Sequence, residues 1–552
     1  MLSVKRSGAR RALLGAVLAS AGAASLLAAA AGAQGVKPVA PNPKEPGARG
    51  VVAGQVPAQH KQALEAPVST AKTAGVFRAV DDWWDAGSGR QLPAEAAYQD
   101  PTGKIAVLNT AGAVDTKGHP FFEPLGTNGR ACVTCHQPAD AMSVSVDTLR
   151  SRWAKTLGKD PVFAAVDGSN CPGAPQDQRA SHSLLLERGL FRIFLPWPPK
   201  AADGTSIKPE FTIEVVRDPT GCNTDPVYGL KSANPMVSVY RRPRLPANLK
   251  YVVNGGGLFN IKTGMPTAVD PDTGKRVSMN IMADARQPTL KTQAVDAVFN
   301  HEQGKAQPTS EQLQKIVEFE SQVFVAQGSD KRAGSLTEPG GPAALGPHNL
   351  ATTAPGLGDN FYTPVFPYFE QWKPGKGKAA ATTQAAFRAS VARGRDIYME
   401  RPFWIRDATH LTSIGLGNPI KRTCATCHNA VMTGMDVAPG WMDIGVANLP
   451  TADPRPDLPL FKITCSKESP PHPYLGRVIY THDPGRALIS GQCIDVGSIT
   501  MQQFRGLAAR APYFSNGSAK TLRELVDYYD RRFAIKYSEQ EKRDLTNFLS
   551  VL

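Results

Sequence analysis

Two five-residue runs carry chemistry in their spacing: Cys132-Val133-Thr134-Cys135-His136 and Cys424-Ala425-Thr426-Cys427-His428. On a single helical turn, thiols at i and i+3 face the same way, so each pair can add to the two vinyl groups of one porphyrin. The histidine that follows can then bring its imidazole under the iron. Cys-x-x-Cys-His is therefore the attachment signature of c-type haem, and two copies imply two covalently bound haem c groups. A zinc or thiol-redox Cys-x-x-Cys has no need of a trailing histidine in both copies. Cys132, Cys135, Cys424 and Cys427 are the expected attachment points, and His136 and His428 the expected proximal iron ligands.

The elements that must hold these motifs are read from periodicity. Helices are expected over residues 146–157, 289–299, 311–324, 387–399, 522–529 and 539–552, with Thr521 and Ser538 as N-caps of the last two. In 311–324 the apolar face is Leu313, Ile316, Val317, Phe319, Val323 and Phe324. Apolar runs at 184–195 and 211–216 fit either strands or buried helical turns. A helix, the haem motif, loops and closing helices recur in each half. The expected fold is thus mainly α: two tandem cytochrome-c-like haem domains with long loop insertions and little strand. The first domain, with insertions, spans 76–330 and the second 385–552. The Gly- and Pro-dense residues 331–384 form the crossing between them.

The chain has 552 residues, 41% of them hydrophobic and 20% charged, which is ample and ordinary for two soluble domains. Lys5, Arg6, Arg10 and Arg11 precede an Ala/Leu-rich stretch that closes on Ala31-Gly32-Ala33, a small-x-small cleavage site. Residues 1–33 read as a secretory signal peptide and 34–75 as a flexible Pro/Ala/Gly-rich lead-in. The Ala, Gly and Ser content argues against an uncleaved membrane anchor. The expected location is the periplasm. Loss of the leader's four basic residues lowers the formal net charge from +14 to +10, a surplus suited to an acidic small redox protein as electron donor or acceptor. No nucleic-acid motif is present. Cys171, Cys222, Cys465 and Cys493 remain, an even set that suggests structural disulfides in an oxidising compartment. Of the three possible pairings, Cys171–Cys222 with Cys465–Cys493 keeps each loop within one half and is favoured.

The run Phe504-Arg505-Gly506-Leu507-Ala508-Ala509-Arg510-Ala511-Pro512-Tyr513-Phe514-Ser515-Asn516-Gly517-Ser518, then Thr521-Leu522-Arg523-Glu524-Leu525-Val526-Asp527-Tyr528-Tyr529, is similar to a family signature. It resembles the LRN…APYFHDGS…TLEEVV pattern of the bacterial dihaem cytochrome c peroxidases, with MauG and the dihaem rubber oxygenases as relatives. Residues 424–429 and 282–324 match more loosely, and the resemblance covers most of 115–330 and 385–552. It implies that electrons enter at the second haem, closed by ligands on both sides. Peroxide or O₂ is then expected to react at the first. The second haem's far-side ligand falls on Tyr529, with Tyr528, Met432 and Met435 as alternatives; a tyrosinate favours ferric iron over what a thioether gives. A calcium ion between the domains is also implied, although no motif supplies its ligands.

The first site departs from the family pattern. The family's inter-haem tryptophan falls on Ala283 and its distal glutamate on Gln303, and an amide cannot shuttle a proton. His301 and Glu302 stand beside it, so the catalytic candidates are His301, Glu302 and Gln303. As in rubber oxygenases, an apolar residue (Val298 or Phe299) could stand over the iron. Asp284 and Arg286 either orient the haem edge or pair with each other. The arginines of 241–246 are expected at the surface, with contact to a propionate as the alternative. The leading functional expectation is a dihaem oxidoreductase that reduces peroxide or O₂ at the first haem. Its rivals are an O₂-dependent oxygenase of an organic substrate, a ligand sensor, and an electron carrier whose missing ligand is His182, His301 or His348.

Overall fold

Helices start where their capping residues stand. Thr289 accepts from the Thr292 amide ahead of the helix Leu290–Asn300, Thr521 caps Leu522–Phe533, and Ser538 forms a capping box with Glu541 ahead of Glu539–Ser550. The computed structural model describes residues 82–253, 280–339, 341–352, 366, 368–409, 418–428 and 441–552. The leader and lead-in of the sequence reading lie outside these residues. No described helix is long and apolar enough to cross a membrane.

The expectation of a mainly α fold with little strand is wrong. The described residues form 15 strands in six antiparallel sheets beside the helices. The error has a local cause at 311–324. The helix Ser310–Gln322 stops at Gln322, and Val323 opens a strand, Val323–Asp330, whose first five residues are all buried. Val323, Phe324 and Val325 are β-branched or aromatic and pack better on a pleated surface than on a helix. This strand pairs with Gly103–Asn109 in the order Glu95–Gln99, Gly103–Asn109, Val323–Asp330, Gly334–Ser335, setting Val107 against Val325. The run at 184–195 divides into a helix, Ser183–Arg188, and a strand, Phe191–Pro196.

The other large sheet joins sequence-distant parts of the chain. Phe211–Arg217 pairs with Leu460–Cys465, which also pairs with Val478–Thr481, so Ile463 faces Ile213 on one side and Ile479 on the other. Phe461, Ile463, Val237 and Val239 bury the inner face completely. Disulfides Cys171–Cys222 and Cys465–Cys493 are formed as favoured, and the four free cysteines among the described residues are those of the two haem motifs.

The helix Thr383–Glu400 packs against Glu539–Ser550 with almost no space between backbones. A Cβ on Gly394 would lie 2.0 Å from the Asp544 carbonyl oxygen. Asp544 fixes the contact by accepting from the Ser390 hydroxyl and from Arg393 Nε and Nη2 at 2.8 and 2.9 Å. Gly394→Ala gains up to about 1 kcal/mol of helix propensity but forces two backbones apart. The clash prevails, and the variant is expected to lose about 1–3 kcal/mol, read from its urea-unfolding midpoint.

Candidate functional site

The first motif occupies the one-turn helix Cys132–Cys135. The Val133 amide donates to the Phe121 carbonyl at 3.1 Å, and Phe121, Phe122 and Phe319 stack behind it with centroids 4.6–5.2 Å apart. Gln137 locks the turn's exit: its side chain accepts from the Trp84 amide and donates to the carbonyls of Trp84 and Val133. His136 follows with Nδ1 3.2 Å from the Met142 carbonyl oxygen. A carbonyl only accepts, so Nδ1 carries the proton and Nε2 keeps its lone pair. Burial lowers this imidazole to about 4, which keeps it neutral, as a metal ligand must be. His136 and Cys135 line a cavity of about 1180 Å³, part of it open to solvent, with Ile281, Ala283, Leu290, Gln293 and Ala297.

The second motif opens with a 3₁₀ turn, Cys424–Thr426, and the His428 amide closes it on the Cys424 carbonyl at 3.0 Å. Tyr398, from the helix Thr383–Glu400, donates its hydroxyl to the His428 carbonyl, and Phe504 packs 4.3 Å from the imidazole. Cys424, Cys427 and His428 line an almost wholly apolar cavity of about 660 Å³, with Met442, Phe504 and Leu525; a space of about 950 Å³ adjoins it. Tyr529 also lines it, with its hydroxyl 3.3 Å from His428 Nε2. Were iron bound in this cavity, His428 and Tyr529 are the residues placed to hold it. Tyr528 points elsewhere and donates to the Ile444 carbonyl at 3.1 Å. Met432 and Met435 lie outside the described residues.

Met501, Gln502 and Gln503 line both the first cavity and the space adjoining the second. Beside this shared wall is a cluster of arginines that the sequence reading placed at the surface. Arg241 and Arg242 are almost fully buried, and Arg241 is held by Asp483 and Asp284. Arg242, Arg244 and Arg510 have no carboxylate in ion-pair contact among the described residues. Arg242 donates to the carbonyls of Arg188, Val144 and Arg510. Arg244 donates through Nη2 to the Thr500 carbonyl and Ser515 Oγ, while its buried Nε and Nη1 have no partner. Burial, with neighbouring arginines, pushes Arg242 and Arg244 down to about 9, and burial alone takes Arg510 to about 10. Unsatisfied buried guanidinium hydrogens facing a cavity call for an anion.

The three catalytic candidates separate. His301 lines the first cavity, with Nδ1 2.5 Å from Asp167 Oδ2. Burial works to raise the Asp167 carboxyl, but Arg130 and His301 overcome it and hold it below its usual range. Glu302 lies outside the cavity, against the far side of the motif: Oε2 accepts from the Leu125 amide and Oε1 is 3.8 Å from Cys132 Sγ. Burial raises its carboxyl to about 7. Gln303 is exposed, with a left-handed φ of 57°. Gly126 allows this arrangement, because a Cβ there would sit 1.8 Å from the Glu302 carbonyl oxygen.

Other expectations are corrected as well. Val298 is buried against Gly304 and Phe299 is 42% exposed; neither stands in the cavity wall. His182 is buried with both ring nitrogens engaged, by the Gly168 and Gln176 carbonyls, and His348 pairs with Glu95 at the surface. Neither is placed to ligate iron. Asp284 and Arg286 pair with each other at 3.0 Å. Ala283 accepts from the Thr500 amide, and Trp441 is Thr500's strand partner, but its indole is not part of the wall of either cavity. Arg486 stacks on it at 3.9 Å, and that positive charge opposes removing an electron from the ring. Among the described residues no three His, Cys, Asp or Glu side chains converge to hold a metal ion, so calcium gains no support.

One cavity residue went unrecognised in the sequence. Glu320 faces the first cavity, only 4% exposed, and its buried Oε2 has no hydrogen-bond partner among the described residues. The signal was present: Glu320 continues the helical row Leu313–Ile316, an acid on an apolar face. No family model matches the chain, and no curated protein matches it.

Burial alone pushes Glu320 up to about 8. Its unfolded value is near 4.5, so the folded state keeps a proton that the unfolded chain releases. The stability this group contributes is complete below pH 4.5 and is lost as pH rises through about 8. Glu320→Gln, which cannot ionise, is expected to match wild type in thermal midpoint near pH 4.5 and to exceed it progressively toward pH 8.5, in a melting series across that range.

Proposed function

We propose that this chain is an exported dihaem c-type oxidoreductase of the cytochrome c peroxidase and MauG type. Electrons enter at the haem on Cys424 and Cys427, and peroxide or O₂ is reduced at the haem on Cys132 and Cys135. One observation carries the reading: Cys135 and His136 of the first motif, and Cys424, Cys427 and His428 of the second, each line a cavity, and the first cavity shares Met501–Gln503 with the space adjoining the second, beside arginines without a carboxylate in ion-pair contact among the described residues. Haem c suits each part of that arrangement, since it is apolar across its face, tethered by two thioethers and anionic at its propionates. When bound, it supplies an iron centre for electron transfer and oxygen reduction.

The residues of the chain do the rest. The Met142 carbonyl holds the proton on His136 Nδ1, which would leave Nε2 for the iron, and Tyr398 and Phe504 fix the second motif's histidine. Tyr529 would close the second centre and restrict it to electron transfer. Arg244, Arg242 and Arg510 would bind propionates and gain the counter-charge they lack. Export is supported by two disulfides in a chain whose remaining described cysteines all belong to haem motifs. The carrier reading requires two closed centres, and what favours the enzyme is the asymmetry. The second cavity has a tyrosine hydroxyl facing its histidine, whereas the His136 Nε2 has no such partner among the described residues.

The matured protein is expected to give two haems per chain in a pyridine haemochrome assay, and one when Cys132 and Cys135 are both replaced by serine. Its EPR spectrum, recorded fully ferric and one-electron reduced, should contain a high-spin ferric signal from the first centre in at least one state. Low-spin signals alone in both states refute the enzyme reading and leave a carrier. Tyr529→Phe should add a second high-spin signal, because phenylalanine offers iron no ligand atom.

A further inference from the structure

Oxygen chemistry consumes protons, and the position that carries the acid in the family this chain resembles holds Gln303, which is exposed. The carboxyls near the first cavity can be taken in turn. Asp167 lines it but is committed to Arg130 and His301. Asp284 is held between Arg241 and Arg286. Glu302 lies against Cys132, outside the cavity wall. Glu320 alone combines a place in the wall, near-complete burial and freedom from any ion pair among the described residues.

We propose that Glu320 is the proton carrier of the first cavity, handing a proton from its carboxyl to the leaving oxygen when the O–O bond of a peroxide is cleaved there. This rests on the dihaem oxidoreductase reading above. Hydrogen peroxide takes up two electrons and two protons as its O–O bond breaks and two O–H bonds form, giving two waters. The electrons come from a one-electron donor protein through the second centre. One proton leaves Glu320, whose carboxylate then recovers it from water through the open side of the cavity, and the other comes from solvent.

The surroundings suit a group that alternates between charge states. Glu320 sits in the last turn of the helix Ser310–Gln322. The packed helices Leu290–Asn300 and Leu249–Val253 give that part of the wall Leu290, Gln293, Ala297, Leu249 and Val252, none of them titratable. Of their charged residues, Asp296 pairs with Arg286, Lys250 donates to the Ala351 carbonyl, and Lys291 is not part of the cavity wall. The Cys132 thiol lies near enough for Glu320 to raise it, and across the cavity stand His136, His301, Asp167 and Cys135, with the arginines 241, 242, 244 and 286. In this setting burial keeps the acid protonated near neutral pH, ready to donate.

The test uses the haem-loaded protein with its reduced donor in excess. Glu320→Gln is expected to lower kcat for peroxide reduction by about 10²–10⁴-fold, with the KM for the donor and the haem content unchanged. Glu320→Asp, which keeps the acid, should recover part of that loss. Independently of turnover, the reduced-minus-oxidised infrared difference spectrum should show a protonated carboxylic acid C=O band in wild type that is absent from Glu320→Gln. Turnover of Glu320→Gln within twofold of wild type, or persistence of that band, overturns the proposal while leaving the dihaem enzyme intact. Wild type that reduces no peroxide overturns this proposal; one that also shows no high-spin iron removes the enzyme reading with it. If Glu320→Gln fails to mature, Glu320→Asp decides: a tenfold or greater loss in kcat supports the assignment, and a value within twofold of wild type refutes it.

Discussion

Positive charge buried without a counter-charge is the constraint on which the centre of this structure depends. Among the described residues, Arg242, Arg244 and Arg510 lie inside the protein with no carboxylate in ion-pair contact, and two donors of Arg244 find no acceptor. Removing a guanidinium from water costs several kcal/mol unless its charge and its hydrogens are satisfied. The fold goes part of the way: backbone carbonyls of Val144, Arg188, Thr500, Gln503 and Arg505 turn inward to accept from the three. Carbonyl dipoles satisfy hydrogens but leave the net charge. An anionic group in the cavities, as the proposed reading supplies, would offset that charge, and group and interior would then stabilise each other.

That coupling explains why sequence-distant strands are interwoven here. Arg241 ends the strand Met236–Arg241 and Arg242 follows it, Asp483 follows Val478–Thr481, and Arg510 belongs to the segment after Ile499–Thr500. To bring them together the chain pairs Phe211–Arg217 with Leu460–Cys465 and fastens Cys465 to Cys493. Helices alone, each burying one stripe, would not converge so many arginines on one wall. The sheets do so because alternate residues of a strand face the same side and the next strand lies within about 5 Å. Here the extra β-structure serves the site as much as the core.

How much of this the sequence disclosed depends on the range of the interaction. The Cys-x-x-Cys-His motifs, the N-caps Thr521 and Ser538, and the closing helices were legible because their physics acts over three or four residues. The strand at Val323–Asp330 was hidden because its start continues a helical apolar row, and only pairing with Gly103–Asn109 reveals that the period has changed. The burial of Arg241-Arg242-Pro243-Arg244 was illegible for the same reason, since a basic run reads as solvated until the fold closes over it. Glu320 is intermediate. Its helical phase places it among Leu313 and Ile316, a conflict visible in the sequence, but only the cavity gives the conflict a purpose. The resemblance to dihaem peroxidases led to Gln303, where a loop clamped by Gly126 turns the amide out to solvent.

The two centres share a motif and differ in what faces their histidines, and that difference sets a direction. At the second, a phenol opposes the imidazole within an apolar chamber whose wall offers no unpaired acid. On the proposed reading, the tyrosine oxygen held against a metal there would favour its oxidised state and leave no site for a substrate. At the first, the imidazole faces a wider cavity with a free carboxyl, an aspartate-bound histidine and an opening to solvent. The apolar chamber of the second motif is lined by no carboxyl, whereas this wall holds Glu320 and Asp167. Reduction of oxygen species needs electrons and protons at the same place, so on the proposed reading electrons delivered to the second centre would pass across Met501–Gln503 to the first. On that reading the asymmetry in ligands and proton donors orders the two sites, and it follows from two side chains, Tyr529 and Glu320.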